Sequence, residues 1–380
     1  MFGKMKNVVL ICVMAVLLFG LSIWCVCKPA DPFSDSERRA LAQMPPFSWD
    51  SVLHENADKT FMRLFEEYTL DQFPLRESFR RLKSAAAYYV FNRMDNNGIY
   101  LRDGYAAKLE YPLNEASIEY AAKKFKSIVE RFPEGTNANV YTCVIPDKGC
   151  FLAAPNGYLS IDYDRFFALF REKTDFAKPI DITQTLELSD YYRTDTHWRQ
   201  EKLEDTARAL AQGMGVTLSA QYGRQELEHP FYGVYYGQSA LPLPAETICY
   251  LTSDWMEECV VYDHQNEKEI SFYDMDKALG KDPYEMFLSG NLSIVTIENP
   301  NAATDRELIV FRDSFGSSIL PLLAEGYRKI TAVDIRYVQS ANLNAFRDRR
   351  NGELLVDFKR ADDVLFLYST LVLNNSKTIR

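Results

Sequence analysis

Histidine is scarce in this chain of 380 residues: His54, His197, His229 and His264 are all there are. So few argue against a histidine-rich metal centre, and any histidine general base must come from these four. An excess of positive charge is also missing. Lys and Arg number 43 against 53 Asp and Glu, a formal net charge of −10. Residues 1–28 hold three lysines and no acid, so taking those three charges away leaves −13 on the rest. A body that acidic lacks the basic footprint that nucleic acid requires. Cysteine is limited to seven, and Cys12, Cys25 and Cys27 lie in the first 28 residues. Cys143, Cys150, Cys249 and Cys259 remain as two local pairs. Disulfides of an exported protein and buried thiols fit that spacing equally. Internal repeats and low-complexity tracts are absent, and a chain 47% hydrophobic and 25% charged is one that folds.

What the sequence does have is a long apolar run. Val8 to Cys27 is twenty residues without a charge, enough for a helix to span a bilayer. Lys4 and Lys6 precede it and favour a cytoplasmic N-terminus, with Lys28 weakening the bias. A signal peptide has a shorter apolar core followed by a small-residue cleavage site, and neither is present. The leading expectation is a single-pass anchor in the cell membrane with the main domain outside the cytoplasm; secretion after signal cleavage is the alternative. The expected organisation is residues 1–28 as anchor or signal, 29–57 as stalk and 58–380 as one α/β domain. Pro29, Pro32, Pro45 and Pro46 interrupt the stalk, leaving one short helical stretch around Ser34 to Ala42.

Periodicity supplies the elements. Phe61, Leu64, Phe65 and Tyr68 recur at helical spacing; after Pro74 the pattern repeats with Phe79, Leu82, Ala86, Tyr89 and Val90. Ile118 to Phe132 marks a third helix, Leu159–Phe170 a fourth and Trp198–Met214 a fifth. Short runs near Ile248–Leu251 and Val260–Tyr262 read as an antiparallel pair. The C-terminal third alternates strands (Ser293–Ile297, Glu307–Phe311, Lys329–Asp334, Val364–Tyr368) with helices (Phe315–Ala324, Ser340–Arg349), and Asn139–Ile145 adds another strand. That alternation implies a mostly parallel sheet with helices on its faces.

Ligands of such sheets bind beyond the carboxyl ends of the strands. There the strand ELIVF runs into Arg312-Asp313-Ser314 and a helix follows. A nucleophilic serine suits this place, because the first N–H groups of the helix are free to hold an oxyanion. Ser314 or Asp313 as a simple N-cap fits the same pattern. Asp195-Thr196-His197-Trp198 offers a base and its orienting acid; a histidine satisfied at a helix start is the bland reading. His264 sits in a polar turn, His54 in the stalk and His229 before a proline, so elimination leaves His197. Asp195 and His197 without a third histidine nearby make an incomplete metal ligand set.

DTHW (Asp195 to Trp198), FLSGN (Phe287 to Asn291), RDSFGSSILP (Arg312 to Pro321) and DIRY (Asp334 to Tyr337) together resemble the DHHW family, which is similar to SGNH-hydrolase-like proteins that O-acetylate alginate in the bacterial envelope. SERRALAQMP (Ser36 to Pro45) and LDQFPLR (Leu70 to Arg76) extend the resemblance over most of residues 35–370. It implies a three-layer α/β/α SGNH-like fold behind the N-terminal helix. It also implies Ser314 as nucleophile, His197 as base, Asp195 as the orienting group and Asp313 as a local hydrogen-bonding acid. Gly290 and Asn291 are candidate oxyanion donors, with a plain turn as the alternative. Arg336 is a candidate anion ligand, with an ion pair as the alternative. Arg312 stands where the hydrolases have glycine, which bears on how closely substrate approaches that backbone. The activity implied is acyl transfer to, or ester hydrolysis on, an envelope polysaccharide through an acyl-serine. It needs no metal and no organic cofactor, and it implies a multi-span membrane acyltransferase as donor partner. The rival is a non-catalytic polysaccharide-binding or assembly protein, with Tyr191, Tyr192, Tyr232, Tyr235 and Tyr236 as the rings to stack on sugars.

Overall fold

The apolar run forms a continuous helix, Phe2–Ala15, Val16–Gly20 and Leu21–Cys27 in succession, with the residues from Met5 to Cys27 long and apolar enough to cross a membrane. The computed structural model describes residues 2–47 and 60–380; His54 and the last part of the stalk lie outside them. Two compact units are present. One contains residues 1–96 and 236–242, the other 97–235 and 243–380.

In the first unit the stretch expected to be helical around Ser34 to Ala42 is a hairpin, Phe33–Ser34 against Arg39–Ala40. Helix Phe61–Asp71 follows, capped by Thr60 accepting from the Arg63 N–H. Pro74 separates it from Arg76–Ala85, which continues as Ala86–Val90.

The second unit is built on an eight-stranded sheet. In spatial order its strands are Lys268–Ile270, Val260–Asp263, Ile294–Glu298, Lys329–Val333, Glu307–Arg312, Asp363–Ser369, Asn139–Ile145 and Lys178–Ile180. The last five pair in parallel and the first three add antiparallel. Strands covered on both faces need apolar residues at every position, and Asp363–Ser369 is buried throughout. Its side chains still alternate. Leu365 and Leu367 join the core beneath helices Glu204–Gly213 and Gly316–Leu323. Val364, Phe366 and Tyr368 join the core beneath Glu115–Val129 and Tyr163–Lys173. Phe366 stacks between Phe125 and Phe311, at centroid distances of 4.5 and 4.9 Å. Two helical layers on one sheet make the three-layer α/β/α architecture.

Several elements differ from the periodic reading because tertiary bonds outweigh local pattern. The helix expected from Trp198 begins only at Glu204. Gln200 is drawn away to donate to the Ser318 carbonyl at 2.7 Å and to accept from the Leu251 N–H at 2.9 Å. The two runs expected to pair with each other do not. Cys249–Thr252 pairs with Gly223–Glu226, and Val260–Asp263 joins the main sheet. Ser340–Arg349 holds only a 3-10 run, Ser340–Ala345. All seven cysteines are free thiols.

Candidate active site

The carboxyl ends of three adjacent parallel strands converge. Glu307–Arg312 leads into Asp313 and Ser314, and helix Gly316–Leu323 begins at once. That abrupt start depends on glycine, because a Cβ on Gly316 would lie 2.8 Å from the Arg312 Cβ. Arg312 itself is fully buried beneath the turn. Its Nη1 donates to the Asp313 carbonyl at 3.3 Å and to Ser317 Oγ at 2.9 Å. An arginine in place of glycine thus fills space below the turn and leaves the Ser314 side open. Asp313 binds the turn together: Oδ1 accepts from the Phe315 N–H at 3.0 Å and Oδ2 from the Ser369 N–H at 2.8 Å. Ser314 stays partly exposed, and its backbone N–H makes no hydrogen bond among the described residues.

The second half of the site is a tight loop. Tyr192 N–H donates to the His197 carbonyl at 3.1 Å, and Arg199 N–H to the Asp190 carbonyl at 2.7 Å. Inside this loop Asp195 folds back on His197, accepting from its N–H at 3.1 Å and pairing with its Nδ1 at 2.6 Å. The other Asp195 oxygen accepts from the Val234 N–H at 2.8 Å. His197 Nε2 then reaches Ser314 Oγ at 2.8 Å. Asp195 is fully buried and His197 is 12% exposed. The three side chains form one hydrogen-bonded line from the interior to the surface. With the carboxylate fixing the Nδ1 proton, Nε2 is left as the acceptor facing the serine.

Groups that the sequence did not single out hold this line. The Tyr284 ring stacks on His197 with centroids 3.9 Å apart and planes 7° off parallel. Its hydroxyl meets Ser318 Oγ at 2.9 Å, and the same oxygen accepts from Trp198 Nε1 at 2.9 Å. Glu246 accepts from the Arg193 N–H, the Thr194 N–H and the Thr194 hydroxyl, each at 2.7 Å. Lys148, fully buried, donates to the Tyr192 carbonyl at 2.8 Å. Burial pulls its amine down to about 7, against the opposing pull of Asp195 and Glu246. Only Lys148 had a readable signal: it follows a strand at the carboxyl edge. Tyr284 and Glu246 reach the site through tertiary folding alone.

The remaining candidates sit in other arrangements. The Gly290 N–H is taken by the Phe287 carbonyl at 3.1 Å, and Asn291 is exposed with its amide turned to Glu285 at 3.5 Å. Arg336 forms a two-pronged pair with Asp334, the closest contact being 2.6 Å. The tyrosines expected to stack on sugars are mostly core: Tyr191, Tyr192 and Tyr235 are buried, and Tyr232 alone of the five is exposed.

No protein-family model and no curated protein matches the chain. Solved structures do. A DHHW family protein from Eubacterium siraeum superposes with a TM-score of 0.56, at 22% identity, over 75% of this chain and 95% of that one. This chain has the DHHW family protein's fold. PatB1 of Bacillus cereus, in a structure carrying a sulfonyl adduct, gives a TM-score of 0.57 at 18% identity, covering 72% of this chain and 95% of PatB1. The mostly parallel sheet with helices on both faces is accordingly an SGNH-like fold.

Proposed function

We propose that this chain is an exported, serine-dependent acyltransferase or esterase acting on the acetyl groups of an envelope or extracellular polysaccharide. The observation that carries the reading is the unbroken line Ser314 Oγ, His197, Asp195, with contacts of 2.8 and 2.6 Å. Ser314 Oγ attacks the acyl carbon while His197 Nε2 takes its proton. Asp195 keeps the other ring nitrogen protonated and stabilises the imidazolium. The Ser314 N–H, which has no partner among the described residues, is a backbone donor open to the developing oxyanion. His197 then returns the proton to the departing alcohol, leaving acetyl-Ser314. A sugar hydroxyl, or water, attacks that ester with His197 as base, and Ser314 is released.

Two features support the setting. The N-terminal helix provides an anchor that leaves the α/β unit outside the cytoplasm, where a polysaccharide is within reach. A donor that brings acetyl groups across the membrane, a multi-span acyltransferase, completes the transferase version. PatB1, of the same fold, is known as a sulfonyl adduct, and sulfonyl reagents capture activated hydroxyls. Burial of Tyr191, Tyr192 and Tyr235 removes most of the rings on which a purely sugar-binding role would rest. The test is stopped-flow hydrolysis of a chromogenic acetyl ester. The expected result is a burst of one equivalent followed by slow turnover, with both phases lost in Ser314→Ala. Turnover that survives Ser314→Ala overturns the proposal.

A further inference from the structure

Helix Arg76–Ala85, continued by Ala86–Val90, has the apolar periodicity that ordinarily buries one face. It does the reverse. Phe79, Leu82, Tyr89, Val90, Phe91 and Met94 are all exposed, Leu82 by 65%, Val90 by 70% and Phe91 by 73%. Phe79, Leu82, Tyr89 and Val90 recur at helical spacing and make one stripe, and the exposed Phe91 and Met94 follow just past the helix end. The opposite face, with Ser84 and Ala87, is buried. Arg81, Lys83 and Arg93 border the stripe and are exposed, and none pairs with a carboxylate among the described residues. An apolar stripe of this extent on a folded protein marks an interaction surface, and basic flanks with aromatic and aliphatic residues between them suit the headgroup and acyl boundary of a bilayer.

The stem fixes where this helix lies. Gln72 is buried and locks Asp31 in both directions: Asp31 N–H donates to Oε1 at 2.8 Å, and Nε2 donates to the Asp31 carbonyl at 2.8 Å. Asp71 accepts two prongs from Arg39, at 2.8 and 2.6 Å, and the Ala42 N–H at 2.9 Å. Glu37 takes Arg76 at 2.6 Å and Arg80 at 3.2 Å. The first turns of the striped helix are thereby bolted to the hairpin that follows the anchor. Asp31 is four residues past Cys27, where the anchor helix ends, and four extended residues reach about 14 Å at most. The bolted helix therefore starts close to the membrane face from which the anchor emerges.

We infer that residues 79–94 form a second membrane contact, lying flat on the outer leaflet with Phe79, Leu82, Val90 and Phe91 in lipid and Arg81, Lys83 and Arg93 at the headgroups. This rests on the anchor reading and goes beyond the proposed chemistry. It makes the first unit a fixed mount on the bilayer where a single helix alone would serve as a swivelling tether.

The test uses the full chain reconstituted in vesicles of phosphatidylethanolamine and phosphatidylglycerol, with no other protein present. A nitroxide-bearing unnatural residue is placed singly at Leu17, Leu82, Phe91 or Lys123, and circular dichroism confirms that each chain folds. Electron paramagnetic resonance then compares accessibility to oxygen, which partitions into lipid, and to a water-soluble nickel chelate. The expected result is oxygen-dominated relaxation at 17, 82 and 91 and nickel-dominated relaxation at 123. Oxygen at 17 with nickel at 82 and 91 overturns the inference and leaves the stripe to a protein partner. Nickel at 17 overturns the anchor reading and the inference with it, while esterase turnover reports separately on the chemistry.

Discussion

Asp195→Asn is the sharpest perturbation of the site, because it changes charge and donor pattern with almost no change of shape. The carboxylate uses Oδ1 to accept from the His197 ring and N–H, and Oδ2 to accept from the Val234 N–H at 2.8 Å. An amide has one oxygen and one donating nitrogen. With its nitrogen toward Val234, two donors face each other in a fully buried place, at a cost of about 1–3 kcal/mol. With its nitrogen toward His197, Nδ1 must accept, the ring proton moves to Nε2, and Nε2 no longer takes the Ser314 proton. Where an acid orients a histidine in this way, the same exchange costs on the order of 10⁴ in kcat, or about 5 kcal/mol of transition-state stabilisation. The assay is kcat/KM for a chromogenic acetyl ester, with circular dichroism to confirm folding. A folded Asp195→Asn protein within tenfold of wild type refutes the reasoning, since it shows that the carboxylate neither selects the tautomer nor stabilises the imidazolium.

Three further outcomes follow from the same contacts. Gly233→Ala puts a Cβ 2.4 Å from the Asp195 Cα; backbone must move, and activity is expected to fall by about 10²-fold or more, as a misplacement of about 1 Å does, checked by ester turnover. Ser318→Ala strands the buried Tyr284 hydroxyl and leaves Trp198 Nε1 with the Phe315 carbonyl at 3.1 Å, and urea unfolding should show a loss of about 1–3 kcal/mol. Lys148 titrates near 7 in the fold and near 10.5 when unfolded. Between those values the unfolded state holds the extra proton, so this group raises stability with pH by about 1.4 kcal/mol per unit. Below about 7 both states are protonated and its contribution is flat. Lys148→Met should remove that slope from denaturation measured between pH 7 and 10.

How much was legible beforehand depended on whether a feature is local. The strands of the C-terminal third announced themselves because both of their faces are buried, which forces unbroken apolar runs such as Val364 to Tyr368. Ser314 was readable from its place after such a strand, and His197 because only four histidines exist. Gln200 shows the limit: its two tertiary hydrogen bonds delay the helix start to Glu204, and no periodicity records that. Tyr284 and Glu246 approach from chain segments with no chemical pattern of their own. The striped helix misled in a different way. Its spacing gave the correct helix, but spacing alone does not say whether an apolar face meets protein or something else.

The central claim is that Ser314 carries the acyl group, and peptide mapping by mass spectrometry tests it most directly. The full chain is mixed with an acetyl ester and quenched in acid during the burst. The account predicts one added acetyl mass on the peptide containing Arg312 to Leu320, located on Ser314 and absent from Ser314→Ala and His197→Ala. Acetyl on another residue, or steady turnover with Ser314 unmodified at every quench time, contradicts it.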